Sequence, residues 1–131
     1  MIMLKQQEID SVLKLSGKQR YTYFIKKVTD TEVIWALYKD GWALVRNDAD
    51  KVFMPIWPYK EYAQLLCMGE WLEYQPAEID LYEFIEEVSQ ELKKNNIAPC
   101  IFLTPNDFGV CLEMDILLSD IENKLDEDFF R

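Results

Sequence analysis

Three glutamates, Glu83, Glu87 and Glu91, recur every four residues in "DLYEFIEEVSQELKKNN", a spacing that lines carboxylates along one face of a helix. Carboxylates so placed can share a divalent cation or divide acid and base roles in a proton transfer. Neither use finds a companion elsewhere. The chain has no histidine, the commonest general base and metal ligand. Glu70 and Glu73 form a weaker pair of the same kind. Cys67, Cys100 and Cys111 show no C-x-x-C spacing, and a cysteine nucleophile would lack an imidazole to activate it. Four glycines compose no phosphate loop. A solvated helix face is the simpler reading of the glutamates, so no catalytic residue, metal or cofactor is expected.

Charge says more than chemistry does. The formal net charge is −10. Up to residue 60 there are ten Lys and Arg against seven Asp and Glu, a balance of +3; from residue 61 there are four against seventeen, a balance of −13. A surface of that sign repels a phosphate backbone and attracts a basic protein. One basic stretch runs the other way: "GKQRYTYFIKK" holds Lys18, Arg20, Tyr21, Tyr23, Lys26 and Lys27. Tyr21 belongs to a buried stripe there, so an amphipathic helix accounts for it better than a nucleic-acid stripe.

The elements that carry these groups follow from periodicity. The 131 residues suffice for one domain with its own core. No linker or repeat divides them, and residues 1–131 are read as a single unit. No apolar run approaches the ~20 residues of a membrane helix. "MIMLKQQEID" reaches an acid at Glu8, unlike a secretory leader, which points to the cytoplasm. Ile9, Val12 and Leu13 suggest a short first helix. Ser16 is placed to cap a second, whose Tyr21, Phe24, Ile25 and Val28 share one face. From Val33 the period becomes two, with both faces apolar. Asp40-Gly41 then turns the chain back through Trp42–Arg46, and Lys51–Trp57 completes an antiparallel meander. "GEWLEYQPAEI" reads as extended. Asp80 and Glu83 resemble a capping box, opening the helix whose stripe is Leu81, Phe84, Ile85, Val88 and Leu92. "IAPCIFL" and "GVCLEM" form a second hairpin centred on Asn106-Asp107, which places Cys100 opposite Glu113 and Cys111 opposite Phe102. A Cys100–Cys111 disulfide is not expected in that register, and the cysteines are read as buried free thiols. A last helix starts near Asp115 and frays in "DEDFFR". The class is α+β, with four or five helices packed on the sheets.

"MPIWPYKEYAQLL" is the one unusual corner. Pro55 lacks a ladder N–H, which places that strand end at a sheet edge or outside the sheet. Pro58 suits a first helical turn, and Tyr59, Tyr62, Ala63 and Leu66 recur at helical spacing behind it. Trp57 is expected to pack beneath the corner. The competing reading makes Trp57, Tyr59 and Tyr62 a ligand-stacking site.

"WALYKDGWAL", "MPIWPYKEYAQ" and "IDLYEFIEEV" occur in this order, with Trp35, Gly41, Trp42, Pro55, Trp57, Pro58, Lys60, Glu61, Tyr62 and Ala63 as their markers. Over Leu15 to Met114 the chain resembles a bacterial family catalogued as domain of unknown function 2750. It is also similar to small acidic immunity proteins of contact-dependent growth inhibition. In one group of these the toxin resembles EndoU-type ribonucleases, and the fold is likened to the Whirly RNA-binding proteins. The resemblance implies a Whirly-like fold and a cytoplasmic protein that neutralises a toxin domain, a basic nuclease, by covering its substrate site. The contacts expected on physical grounds are Glu83, Glu86, Glu87 and Glu91 on the acidic helix, with Asp120, Glu122, Asp126 and Glu127 near the C-terminus. Nucleic acid and membrane are not expected partners. The alternative is a regulatory or scaffolding domain that binds a protein or small ligand at the Trp57 corner.

Overall fold

The computed structural model describes residues 4–129. Two helices open it, α1 (Gln6–Leu13) and α2 (Gly17–Thr31). Ser16 caps α2 as its sequence suggests: its Oγ accepts from the Gln19 N–H at 3.2 Å, while Gln19 Oε1 accepts from the Ser16 N–H at 3.0 Å. That reciprocal box satisfies two otherwise orphaned donors. Phe24 and Val28 of α2 are wholly buried.

The fold is α+β, built on two sheets. Its strand pairing departs from the meander. β1 (Val33–Tyr38) pairs antiparallel with β4 (Gln75–Asp80), from Val33↔Asp80 to Tyr38↔Gln75. The turn at Asp40, with φ 55°, does form, yet only a single Tyr38–Trp42 bridge follows it. The returning strand shrinks to β2 (Val45–Arg46), which pairs with β3 (Val52–Ile56) in a second sheet that β5 (Ile97–Ile101) and β6 (Val110–Cys111) complete in the order β2-β3-β5-β6. There β3 and β5 run parallel. Parallel neighbours need a long crossover, and the intervening chain supplies one: α3 (Lys60–Gln64), a 3₁₀ turn at Gly69–Trp71, β4, α4 (Leu81–Glu83) and α5 (Ser89–Lys94). Short connections favour meanders, but here the longer-range partner wins.

Trp57 joins the two sheets. Its N–H donates to Trp35 O at 2.8 Å and its carbonyl accepts from Trp35 N–H at 2.9 Å. This explains Pro55, which lies inside β3 opposite Cys100 rather than at an edge. Backbone polar groups alternate sides along a strand. Ile56 faces β5, since its carbonyl accepts from Phe102 N–H, so Phe53, Pro55 and Trp57 face the other way. Phe53 meets β2 and Trp57 meets β1. Pro55 falls in the gap between them, where no N–H is required.

Between α4 and α5 the helix widens into one π turn, Phe84–Val88. Ser89 N–H donates to Phe84 O, five residues back. The extra residue turns Ser89 wholly inward beside Phe84 and leaves Val88 half-buried, which the regular stripe does not anticipate. Asp80 caps this run, accepting from the Tyr82 and Glu83 N–H groups at 3.1 Å each. The last helix, α6 (Met114–Phe129), continues past the expected fraying point and packs against α2; Phe130 and Arg131 lie outside the described residues.

The second hairpin is shifted by one position from its expected centre. Thr104 and Asp107 exchange backbone hydrogen bonds at 2.8 and 3.2 Å around Pro105-Asn106. Proline pre-sets φ for the first central position of such a turn. β6 (Val110–Cys111) therefore pairs as Cys100↔Cys111 and Ile101↔Val110, and the expected partners Glu113 and Phe102 are displaced. Cys100 is buried, Cys67 half-buried and Cys111 exposed, so the buried-thiol reading fits only the first fully. Gly109 has a φ of +90°, and a Cβ there would stand 2.5 Å from Ile101 O, which makes the residue's small size a condition of this pairing.

Candidate functional site

Two regions carry the residues singled out by the sequence. At the proline corner, Trp57 is wholly buried and its Nε1–H donates to Leu103 O at 2.7 Å. Tyr62 is 1% exposed and packs edge-on against Tyr23, with Phe102 4.7 Å away between ring centroids. Burial pushes the Tyr62 hydroxyl up to about 12, and it lies 3.0 Å from Tyr23 OH, which also donates to Glu8 at 2.6 Å. These groups form a satisfied polar thread through a packed aromatic cluster. Neither Trp57 nor Tyr62 offers a face to a ligand, and the stacking role is withdrawn for both. Tyr59 alone of the three borders a groove, about 300 Å³, with Val33, Trp35 and Pro58. Helix α3 starts at Lys60, so Pro58 precedes the cap rather than occupying the first turn.

The acidic run is different. Glu83, Glu86, Glu87 and Glu91 are all exposed. Their stem is held by Leu81, Phe84 and Leu92, all buried, which fixes the face turned outward. Glu83, Glu86 and Glu87 make no ion pair with a described residue, and Glu91 receives only a 3.4 Å contact from Asn95. The π turn breaks the strict four-residue alignment of the carboxylates. Beside them Tyr82, 43% exposed, donates to Glu32 at 2.6 Å. Sequence reasoning passed over Tyr82 because it lies off the apolar stripe; its mismatch with that stripe was the available signal.

On α6, Glu122 and Asp126 are exposed and make no ion pair with a described residue, while Glu127 pairs with Lys124 at 3.5 Å. Asp120 is half-buried and accepts from Tyr21 OH, so it serves the α2–α6 contact more than the surface. An ion pair links the two acidic segments. Lys93 of α5 pairs with Asp115 of α6 at 2.7 Å, and Lys51 with Glu113 at 3.6 Å. Both pairs line a cleft of about 350 Å³. Among the described residues, no three acidic or cysteine side chains converge to hold a metal ion.

The basic stretch of α2 is largely committed. Arg20 is 3% exposed, forms an ion pair with Asp107, and donates to the carbonyl of Leu15 at 2.5 Å. The Gly109 amide, then Arg20, holds the Asp107 carboxyl below its usual range. A depressed carboxyl adds stability that is complete above its unfolded value, about 3.9, and disappears as pH falls through the folded one. Denaturant midpoints are therefore expected to drop more steeply below about pH 4 in the natural protein than in Asp107→Asn. Equal slopes would remove Asp107 from the acid response.

No helix among the described residues is long and apolar enough to cross a membrane. No curated protein and no solved structure matches the chain. A family model does match, over residues 21–121, which cover both the aromatic corner and the acidic run. On that match the chain belongs to the family described as "Protein of unknown function (DUF2750)".

Proposed function

We propose that this protein is a cytoplasmic immunity protein that binds a basic nuclease toxin and covers its substrate site, without catalysing a reaction. One observation carries the reading. Five of the eight candidate acids, Glu83, Glu86, Glu87, Glu122 and Asp126, point charge outward with no ion pair to a described residue. Unpaired exposed carboxylates speed encounter with a cationic partner and occupy the positions of phosphates in a nuclease cleft. Tyr82, partly exposed beside Glu83, supplies the aromatic anchor that charge alone does not provide. Co-expression with the toxin encoded beside its gene is expected to rescue growth and to yield a complex on co-purification. Failure of both would remove the proposal.

A second reading rests on the groove beside Tyr59, about 300 Å³ with a wall of Val33, Trp35 and Pro58. Its size is at the lower end for a small-ligand pocket. A regulatory domain binding a ligand there would lose affinity in Tyr59→Ala and be indifferent to charge reversal on the acidic run.

A further inference from the structure

The hairpin register places Cys100 and Cys111 directly opposite each other on neighbouring antiparallel strands. Phe102 N–H donates to β3, so by alternation Ile101 faces β6 and forms the hydrogen-bonded pair with Val110. Cys100 and Cys111 are then the non-hydrogen-bonded pair, whose Cα atoms approach to about 4.5 Å with side chains drawn together. That separation falls within the span a disulfide bridges. The two thiols also differ in access: Cys100 is 0% exposed, while Cys111 lies on the surface.

From this geometry we infer that Cys100 and Cys111 are a modification site, forming a reversible cross-strand disulfide when a low-molecular-weight disulfide is present. The exposed sulfur reacts first. The Cys111 thiolate attacks one sulfur of glutathione disulfide and expels one glutathione thiolate, leaving a mixed disulfide on Cys111. Cys100 then gives up its proton to solvent and attacks the Cys111 sulfur, expelling the second glutathione. Two protein thiols are oxidised and one glutathione disulfide is reduced to two glutathiones. Burial raises both thiols above their ordinary values, while the Cys100 thiol and Lys51 pull Cys111 back toward the thiolate. This agrees with the order of attack. Reaction also removes the Cys100 S–H that donates to Phe108 O at 2.9 Å, so the bond exchanges one tether of this hairpin for a covalent one. Cys67, whose Sγ lies against the Ala63 and Tyr74 carbonyls, is expected to take no part in the linkage.

The test is incubation of the full chain with glutathione disulfide, alkylation of the remaining thiols, and intact-mass and non-reducing peptide analysis. The natural chain is expected to lose two hydrogens, to yield one linked peptide pair containing Cys100 and Cys111, and to return to the thiol form with dithiothreitol. Cys100→Ser is expected to stop at the glutathione adduct on Cys111. In Cys111→Ser, Cys100 is expected to react roughly tenfold or more slowly, because the buried thiol no longer has the exposed sulfur that carries the mixed disulfide to it. Persistence of a Cys111 adduct beside a free Cys100 in the natural chain would overturn the inference. So would linkage through Cys67 or between two chains.

Discussion

Trp57→Ala is expected to lower stability by about 3–5 kcal/mol, the range for removing a large aromatic side chain from a packed core. Three observations place it there. The ring is 0% exposed; its Nε1–H satisfies the buried carbonyl of Leu103; and its backbone makes the two hydrogen bonds that join the sheets through Trp35. Truncation opens a cavity and leaves that carbonyl unpaired, two costs that add. Domains of this size hold only about 5–15 kcal/mol in total, so the variant should sit close to its unfolding threshold. Trp57→Phe keeps most of the volume and loses the indole donor, and is expected to cost about 1–3 kcal/mol. Urea unfolding followed by far-ultraviolet circular dichroism measures both. A loss below about 1 kcal/mol for the alanine variant, typical of a surface site, would show that the corner is not an anchor of the core.

The second large effect concerns association. Glu83→Lys, Glu86→Lys and Glu87→Lys combined reverse the charge of the exposed acidic run, and the association rate with the proposed basic toxin is expected to fall on the order of tenfold or more. None of the three side chains is buried, and surface substitutions usually move stability by no more than about 0.5 kcal/mol. The unfolding curve should therefore stay put while binding slows, which separates a docking defect from a folding one. Tyr82→Ala is expected to act on dissociation instead, since apolar anchors hold a complex that charge has already steered. An unchanged association rate in the triple variant would transfer attention to the Tyr59 groove.

Much of this architecture was legible locally, and the reasons for the misreadings are physical. The Ser16 cap, the Phe24–Val28 stripe and the start of the last helix near Asp115 all rest on neighbours within one or two turns, where periodicity is informative. Strand pairing is not local. β1 prefers β4 over the strand directly across its turn, and no dipeptide records that choice. The Pro105-Asn106 turn was visible in principle, because proline favours the first central position; centring the hairpin one residue late hid the Cys100–Cys111 pairing. The π turn leaves a fainter trace: Ser89 breaks the apolar pattern, yet it is the residue turned fully inward. Arg20 was read only as one cation of the basic stretch of α2, and only the fold brings Asp107 from 87 residues away to pair with it. The acidic surface was legible as composition, while the lack of an ion pair from Glu83, Glu86, Glu87, Glu122 or Asp126 to any described residue is a matter of three-dimensional placement.

The most direct measurement is the association rate of this chain with the basic nuclease domain proposed as its partner, followed as ionic strength rises. Screening contracts from about 30 Å at 0.01 M salt to about 8 Å at 0.15 M. Steering by exposed, unpaired carboxylates predicts a steep decline over that interval, and a shallower one for the lysine-substituted triple variant. A rate that stays flat across the series, identical for both proteins, would contradict the proposal that an acidic face captures a basic partner.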